Sequence, residues 1–226
     1  MASQTLTAES VGLLLVDPYN DFLHVEGKLY GAAEAVIDEV GMLNNMRAIV
    51  ASARAAGIRI FFVPHHRASP SDFEGWTHVT PYQRGGHDLQ LFAVDSWGGE
   101  WHSDFVPQAD DVIAKEHWSS GFASTDLDLQ LKQHGVSQIV LIGMIANTCL
   151  ESTGRYGMEL GYHVTLVRDA TAAFSREAMH TAHEINGPTY AHSIVSSDEL
   201  LVAWSQLPNQ LQKSLPNRQR RTSCSV

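Results

Sequence analysis

Three residues that lie far apart in this 226-residue chain make a complete nucleophilic set: Asp17, Lys115 and Cys149. A thiolate is a strong nucleophile, an ammonium favours that form by its charge, and a carboxylate takes and returns the proton. Cys149 falls in SQIVLIGMIANTCLESTGRYGMELGYHVTLVR (137–168), which reads as strand, tight turn, helix, strand. A thiol at a helix N-terminus feels unpaired N–H groups and the positive end of the dipole, both of which favour thiolate. The same N–H groups can receive an oxyanion. Taken alone, the stretch fits a buried structural cysteine equally well. Asp17 closes VGLLLV and precedes Pro18, which cannot donate to a ladder; a turn-forming aspartate leaves the same trace. Lys115 follows DVIA.

Those three positions can meet only if parallel strands deliver them to one edge, where open α/β sheets bind ligands. Six short apolar runs supply the strands: Val11–Val16, Ile58–Val63, Asp111–Ala114, Ser137–Gly143, Tyr162–Val167 and Ala191–Val195. Gly57, Gly135 and Gly161 each separate a helical stretch from a β-rich run, the alternation of βαβ units. Helical spacing covers Ala32 to Ala56, a segment capped by Thr125 and running to His134, Cys149 to Gly161, Ser175 to Asn186, and a last helix to about Leu207. The expectation is an α/β fold: a three-layer, Rossmann-like, mostly parallel six-stranded sheet with helices on both faces. One domain spans residues 1–207, and the polar, basic tail 208–226 is expected to be disordered.

Residues 65–102 are the least regular part, with Pro, Gly, Asp and many aromatics. A long aromatic insertion beyond a strand end makes a lid, a pocket wall or an oligomer surface. Trp118 and Phe122 are the first pocket-wall candidates, and Tyr19, Phe22, Trp76 and Tyr82 the next; core packing competes for each. Asn147 and Thr148 are expected to shape the turn before Cys149. Arg155 is expected in an ion pair or subunit contact, and Asp169 as a loop-ordering carboxylate.

Net charge is −10 with pI near 5.6, which argues against nucleic acid or an anionic membrane as a main partner. Two cysteines, Cys149 and Cys224, build no disulfide framework and suit a reducing cytosol. MASQTLTAES lacks the basic and apolar regions of a signal peptide, and no apolar run reaches membrane-spanning length. A cytoplasmic location is the expectation.

LLLVDPYNDF with Asp17, AKEHWSSGFASTDL with Lys115, and GMIANTCLESTGRYGMELGYHVTLVRDAT with Cys149 resemble the three signatures of the isochorismatase-like cysteine hydrolases, which include nicotinamidases and N-carbamoylsarcosine amidohydrolases. The resemblance covers Val11 to Val195. It implies Asp17 as base, Lys115 as charge partner and Cys149 as nucleophile. It further implies a cis peptide at Met144–Ile145 and an oxyanion hole from the N–H groups of Ile145 and Cys149. A homo-oligomer, dimer or tetramer, is implied as well. Nicotinamidases usually bind a metal through Asp-x-His and a further His; here the corresponding region reads VPHHRASPSDF, so no metal or other cofactor is expected. The reaction implied is hydrolysis of a C–N bond in a small amide or ureido substrate through a Cys149 thioester. Vinyl-ether hydrolysis is the alternative, as is a non-catalytic binding protein on the same fold. The vinyl-ether reaction needs no thiol, so Cys149 favours the first.

Overall fold

The computed structural model describes residues 7–207; the tail expected from Pro208 lies outside them. Six strands form one sheet: β1 (Val11–Val16), β2 (Arg59–Val63), β3 (Val112–Ile113), β4 (Gln138–Met144), β5 (His163–Ala172) and β6 (Ser193–Val195). All adjacent pairs are parallel, in the order β3-β2-β1-β4-β5-β6. The chain builds outward from β1 through β2 to β3, then crosses back to lay β4 on the other side of β1. The crevice between the carboxyl ends of β1 and β4 is therefore the topological switch point.

Every residue of β1 is buried, because both faces of the sheet are covered. Leu13 and Leu15 join one apolar cluster, Leu14 and Val16 the other. The period of two along the strand thus divides the core into two layers. Against the first layer pack α2 (Tyr30–Val40), α3 (Met42–Ala56) and α8 (Ser197–Ser205). Met42, Met46, Ile49, Val50 and Ala53 form the buried stripe of α3 at helical spacing. Against the second layer pack α5 (Leu127–Gln133) and α6 (Glu151–Glu159), with Leu127 and Leu131 buried. Shorter helices lie at Asn20–Leu23 (α1), Pro81–Asp88 (α4) and Arg176–His180 (α7).

Four local departures from the sequence expectation have physical causes. The single helix expected over 32–56 is two, because Gly41 takes a left-handed conformation and ends α2 with its N–H on the carbonyls of Ile37 and Asp38. β5 runs on to Ala172 because its pairing with β4 resumes after a register shift between Leu141 and Gly143. Asp126, not Thr125, stands at the flank of α5; the Thr125 hydroxyl accepts the Leu127 N–H at 3.2 Å. A π-helical turn covers Ala146–Leu150 before α6 begins at Glu151.

Candidate active site

Asp17 and Cys149 follow the carboxyl ends of adjacent strands, β1 and β4. Val16 is paired with Gly143, so the two functional residues start from level positions. Gly143 is required there: a Cβ at that position would collide with the Val16 carbonyl oxygen. Asp17 is fully buried with φ of 54°, left-handed backbone that few side chains adopt. Its N–H donates to the Val63 carbonyl, and its carbonyl accepts from Tyr19, so both neighbours enforce that conformation. Beyond β4 the Met144–Ile145 peptide is cis. The Ile145 N–H and the Thr148 hydroxyl both lie against the Cys149 sulfur and favour its ionised form.

Those two donors do not prevail. Burial pushes the Cys149 thiol well up, and the Asp17 carboxylate, within hydrogen-bond reach, pushes it further. The resting nucleophile is therefore a thiol beside a carboxylate. His117 is also fully buried, and its Nε2 lies 3.0 Å from Asp17 Oδ1. The contact is close but not aligned as a hydrogen bond, so neither Asp17 oxygen and neither His117 nitrogen has a directed partner. Uncommitted buried polar atoms are rare in folded proteins, and here four of them share one spot.

Lys115 does not join this group. Its side chain is exposed, and its backbone N–H donates to Asp126 Oδ1 at 2.8 Å. The cause is one extra residue in the edge of the sheet. Phe62 pairs with Ile113, and His65 pairs with His117; β2 advances three residues where the other chain advances four. This bulge turns Lys115 outward and re-aims the chain so that His117 points at Asp17. The sequence reading missed His117, because nothing in AKEHW marks where pairing slips. Glu116, between them, accepts from the Arg67 backbone N–H and Nε and faces His66.

A cavity of about 270 Å³ opens beside Cys149. Residues 65–102 supply most of its wall, including Phe73, Tyr82 and Phe92, which is the lid or wall role of the two considered. Asp21 ties this insertion down: its buried carboxylate accepts from the N–H of Phe92 at 2.8 Å and of Lys28 at 3.2 Å. Of the candidates read from the sequence, Phe22, Tyr82 and Trp118 line the cavity. Tyr82 is largely exposed, yet its hydroxyl lies against Thr148, and the burial of that end raises its pKa. Tyr19 and Phe122 do not line it. Tyr19 stacks between Phe92 and Trp101, and its hydroxyl donates to the His65 carbonyl; Phe122 packs on Tyr156 and Tyr162 in the second core layer. Trp76 is about half exposed and stays outside the cavity. Arg155 pairs with Glu151, and the Asp169 carboxylate accepts from the Ser197 N–H and hydroxyl, holding the start of α8.

A family model described as the isochorismatase domain matches residues 11–190, most of the chain and the elements from β1 through β5 and α7. The chain belongs to the isochorismatase family. It is accordingly a hydrolase. Among similar proteins are the ureidoacrylate amidohydrolase RutB of Pantoea ananatis, 28% identical over 194 residues (81% of this chain, 78% of the relative), and that of Acinetobacter baylyi, 27% identical (92% and 89%). Among solved structures, a cysteine hydrolase from Pseudomonas syringae pv. phaseolicola aligns with a TM-score of 0.70 at 24% identity, covering 91% of this chain and 99% of that one. The N-carbamoylsarcosine amidase of Thermoplasma acidophilum aligns with a TM-score of 0.61 at 25% identity, covering 84% and 97%. A metal ion of the kind nicotinamidases of this family hold does not fit the residues here. Both His66 ring nitrogens are taken up by Asp72 and Glu116, and His65 Nδ1–H donates to the His66 carbonyl at 2.7 Å. Among the described residues no group of three or more His, Cys, Asp or Glu side chains is placed to hold a metal.

Proposed function

We propose that this isochorismatase-family protein cleaves the C–N bond of a small amide or ureido substrate through a Cys149 thioester. The observation that carries the reading is the meeting of the Asp17 carboxylate and the Ile145 N–H at the Cys149 sulfur, which lines one cavity. The names of the relatives support it, since ureidoacrylate amidohydrolase and N-carbamoylsarcosine amidase both describe cleavage of a C–N bond next to a carbonyl.

Because the thiol rests protonated, its proton must leave as attack occurs. Asp17 takes it while sulfur bonds to the substrate carbonyl carbon. The developing oxyanion is received by the N–H groups of Ile145 and Cys149. Collapse of the tetrahedral species breaks the C–N bond, and Asp17 hands its proton to the departing nitrogen. Asp17 then takes a proton from water as its oxygen attacks the thioester; the C–S bond breaks, the acid leaves and the thiol regains its proton. His117 is the positioning residue of this scheme, its Nε2 packed 3.0 Å from Asp17 Oδ1.

Intact-mass measurement during turnover of a panel of small amides tests the scheme. An acyl adduct on wild-type protein that vanishes in Cys149→Ala is the expected result. Turnover that survives Cys149→Ala would refute the thioester and favour the vinyl-ether type of chemistry, which needs no sulfur.

A further inference from the structure

The cavity beside Cys149 is walled chiefly by carbon: Phe22, Phe73, Leu91, Phe92, Trp118 and Phe174. No lysine or arginine side chain is among its lining residues. Of the cations around it, Arg84 lies on α4 between the lining residues Gln83 and Gly85 but is exposed and does not itself line the cavity, and two others are engaged. The Lys28 ammonium donates to the carbonyls of Leu89 and Gln90, and Arg67 is bound to Glu116 at 2.6 Å. His66 lines the cavity, but Asp72 and Glu116 flank its ring, so any charge it carries is balanced twice over. His87 lies beside Asp88, and its buried Nε2 has no aligned partner, leaving one hydrogen-bond site of either polarity. Next to the lining Cys149 sulfur stands the Asp17 carboxylate. A carboxylate entering this space would leave water, meet aromatic faces and find negative charge ahead of it, with no lysine or arginine among the lining residues to repay the loss.

We propose that the cavity selects uncharged amides or carbamoyl compounds bearing a bulky apolar group, and discriminates against substrates with a carboxylate distal to the scissile bond. This rests on the amide-cleaving reading above and departs from the relatives whose names describe acids, ureidoacrylate and N-carbamoylsarcosine. About 270 Å³ accommodates a single aromatic ring with its substituents. Tyr82, with its hydroxyl on Thr148, closes one side of the entrance next to the sulfur.

Calorimetric binding to Cys149→Ala isolates recognition from chemistry. The probes are phenylacetamide, 4-methylphenylacetamide as the control for bulk, 4-carboxyphenylacetamide and ureidoacrylate. The two neutral amides are expected to bind at least about tenfold more tightly than either acid. Leu89→Arg places a cation at the exposed rim of the cavity, where folding is little at risk, and should narrow that gap several-fold. Equal or tighter binding of the acids, or binding of none of the four, overturns the proposal. Tight neutral binding to Cys149→Ala combined with no turnover by the wild-type protein would support the selectivity while sinking the thioester reading.

Discussion

The two halves of the site are built to different standards. Asp17 and Cys149 leave central strands that are paired over their whole length and level with each other. His117 leaves an edge strand of two residues, past a bulge, and the cavity wall comes from an irregular insertion. Among the described residues, four of the six non-glycine residues with left-handed backbone lie in that insertion: Phe73, Gln90, Phe92 and Asp95. An aromatic residue seldom adopts this conformation, so tertiary contacts must hold it. The contrast teaches that the reacting pair is fixed by sheet topology, whereas its partner and its walls are fixed by individual side-chain anchors. The first half should be insensitive to distant change and the second fragile.

The sharpest way to break this comparison is to substitute both sides of the bulge. Asp17→Asn should lower turnover by about a thousandfold or more, since a proton carrier is lost. It should also speed alkylation of Cys149 at neutral pH, because the charge that raises the thiol is gone. His117→Ala should cost about a hundredfold, while Lys115→Ala stays within about twofold. Steady-state rates and iodoacetamide kinetics measure all of this. A large loss in Lys115→Ala with a silent His117→Ala would reverse the assignment of the two. A smaller effect probes the insertion. Asp21→Ala leaves the buried Phe92 N–H without an acceptor, at a cost of about 1–3 kcal/mol. That should lower the melting temperature by several degrees and raise KM more than it lowers kcat. An equal fall in kcat would show that Asp21 acts on the reacting pair and not on the wall.

The same contrast explains what the amino-acid sequence discloses. VGLLLV and QIVLIG are legible as strands because burial on both faces leaves a continuous apolar run, and parallel pairing then dictates which end carries Asp17 and Cys149. The resemblance to the isochorismatase-like hydrolases supplies the pairing of the two. Lys115 and His117 differ by two positions, and only the extra residue between the Phe62–Ile113 and His65–His117 pairs decides which one faces the site. That residue leaves no compositional trace. Tyr19 and Phe122 illustrate a related limit: an aromatic next to a catalytic segment has the same sequence whether it faces the cavity or the core. Tyr19 is drawn inward by Phe92 and Trp101, and Phe122 by Tyr156 and Tyr162, all distant in sequence. The break at Gly41 is hidden for another reason: the apolar spacing on either side of it reads as continuous.

The smallest expected effect is a pH dependence confined to the wall. His66 stacks on Trp118 with ring centroids 4.0 Å apart, and Glu116 joins it to Arg67. The hydrogen bond to Glu116 raises the His66 pKa above 6.5, against burial and with help from Asp72. Burial works against ionisation of Glu116, but the hydrogen bonds from His66 and Arg67 together overcome it and bring its pKa down to about 2. The signs then run in opposite directions. The raised histidine contributes its stabilisation fully below 6.5 and loses it as pH climbs through its higher folded value. The depressed glutamate contributes above 4.5 and loses it as pH falls toward about 2. The wall is held most firmly between those two ordinary values. Both groups are partly exposed, so solvent screening keeps the effect modest. Trp118 reports it directly, since a stacked imidazolium alters indole emission. The fluorescence difference between the wild-type protein and Trp118→Phe should titrate with a midpoint above 6.5, and Glu116→Gln should move that midpoint down. A midpoint at or below 6.5 in the wild-type protein would mean that the carboxylates do not hold His66, and that the outer half of the site lacks this anchor.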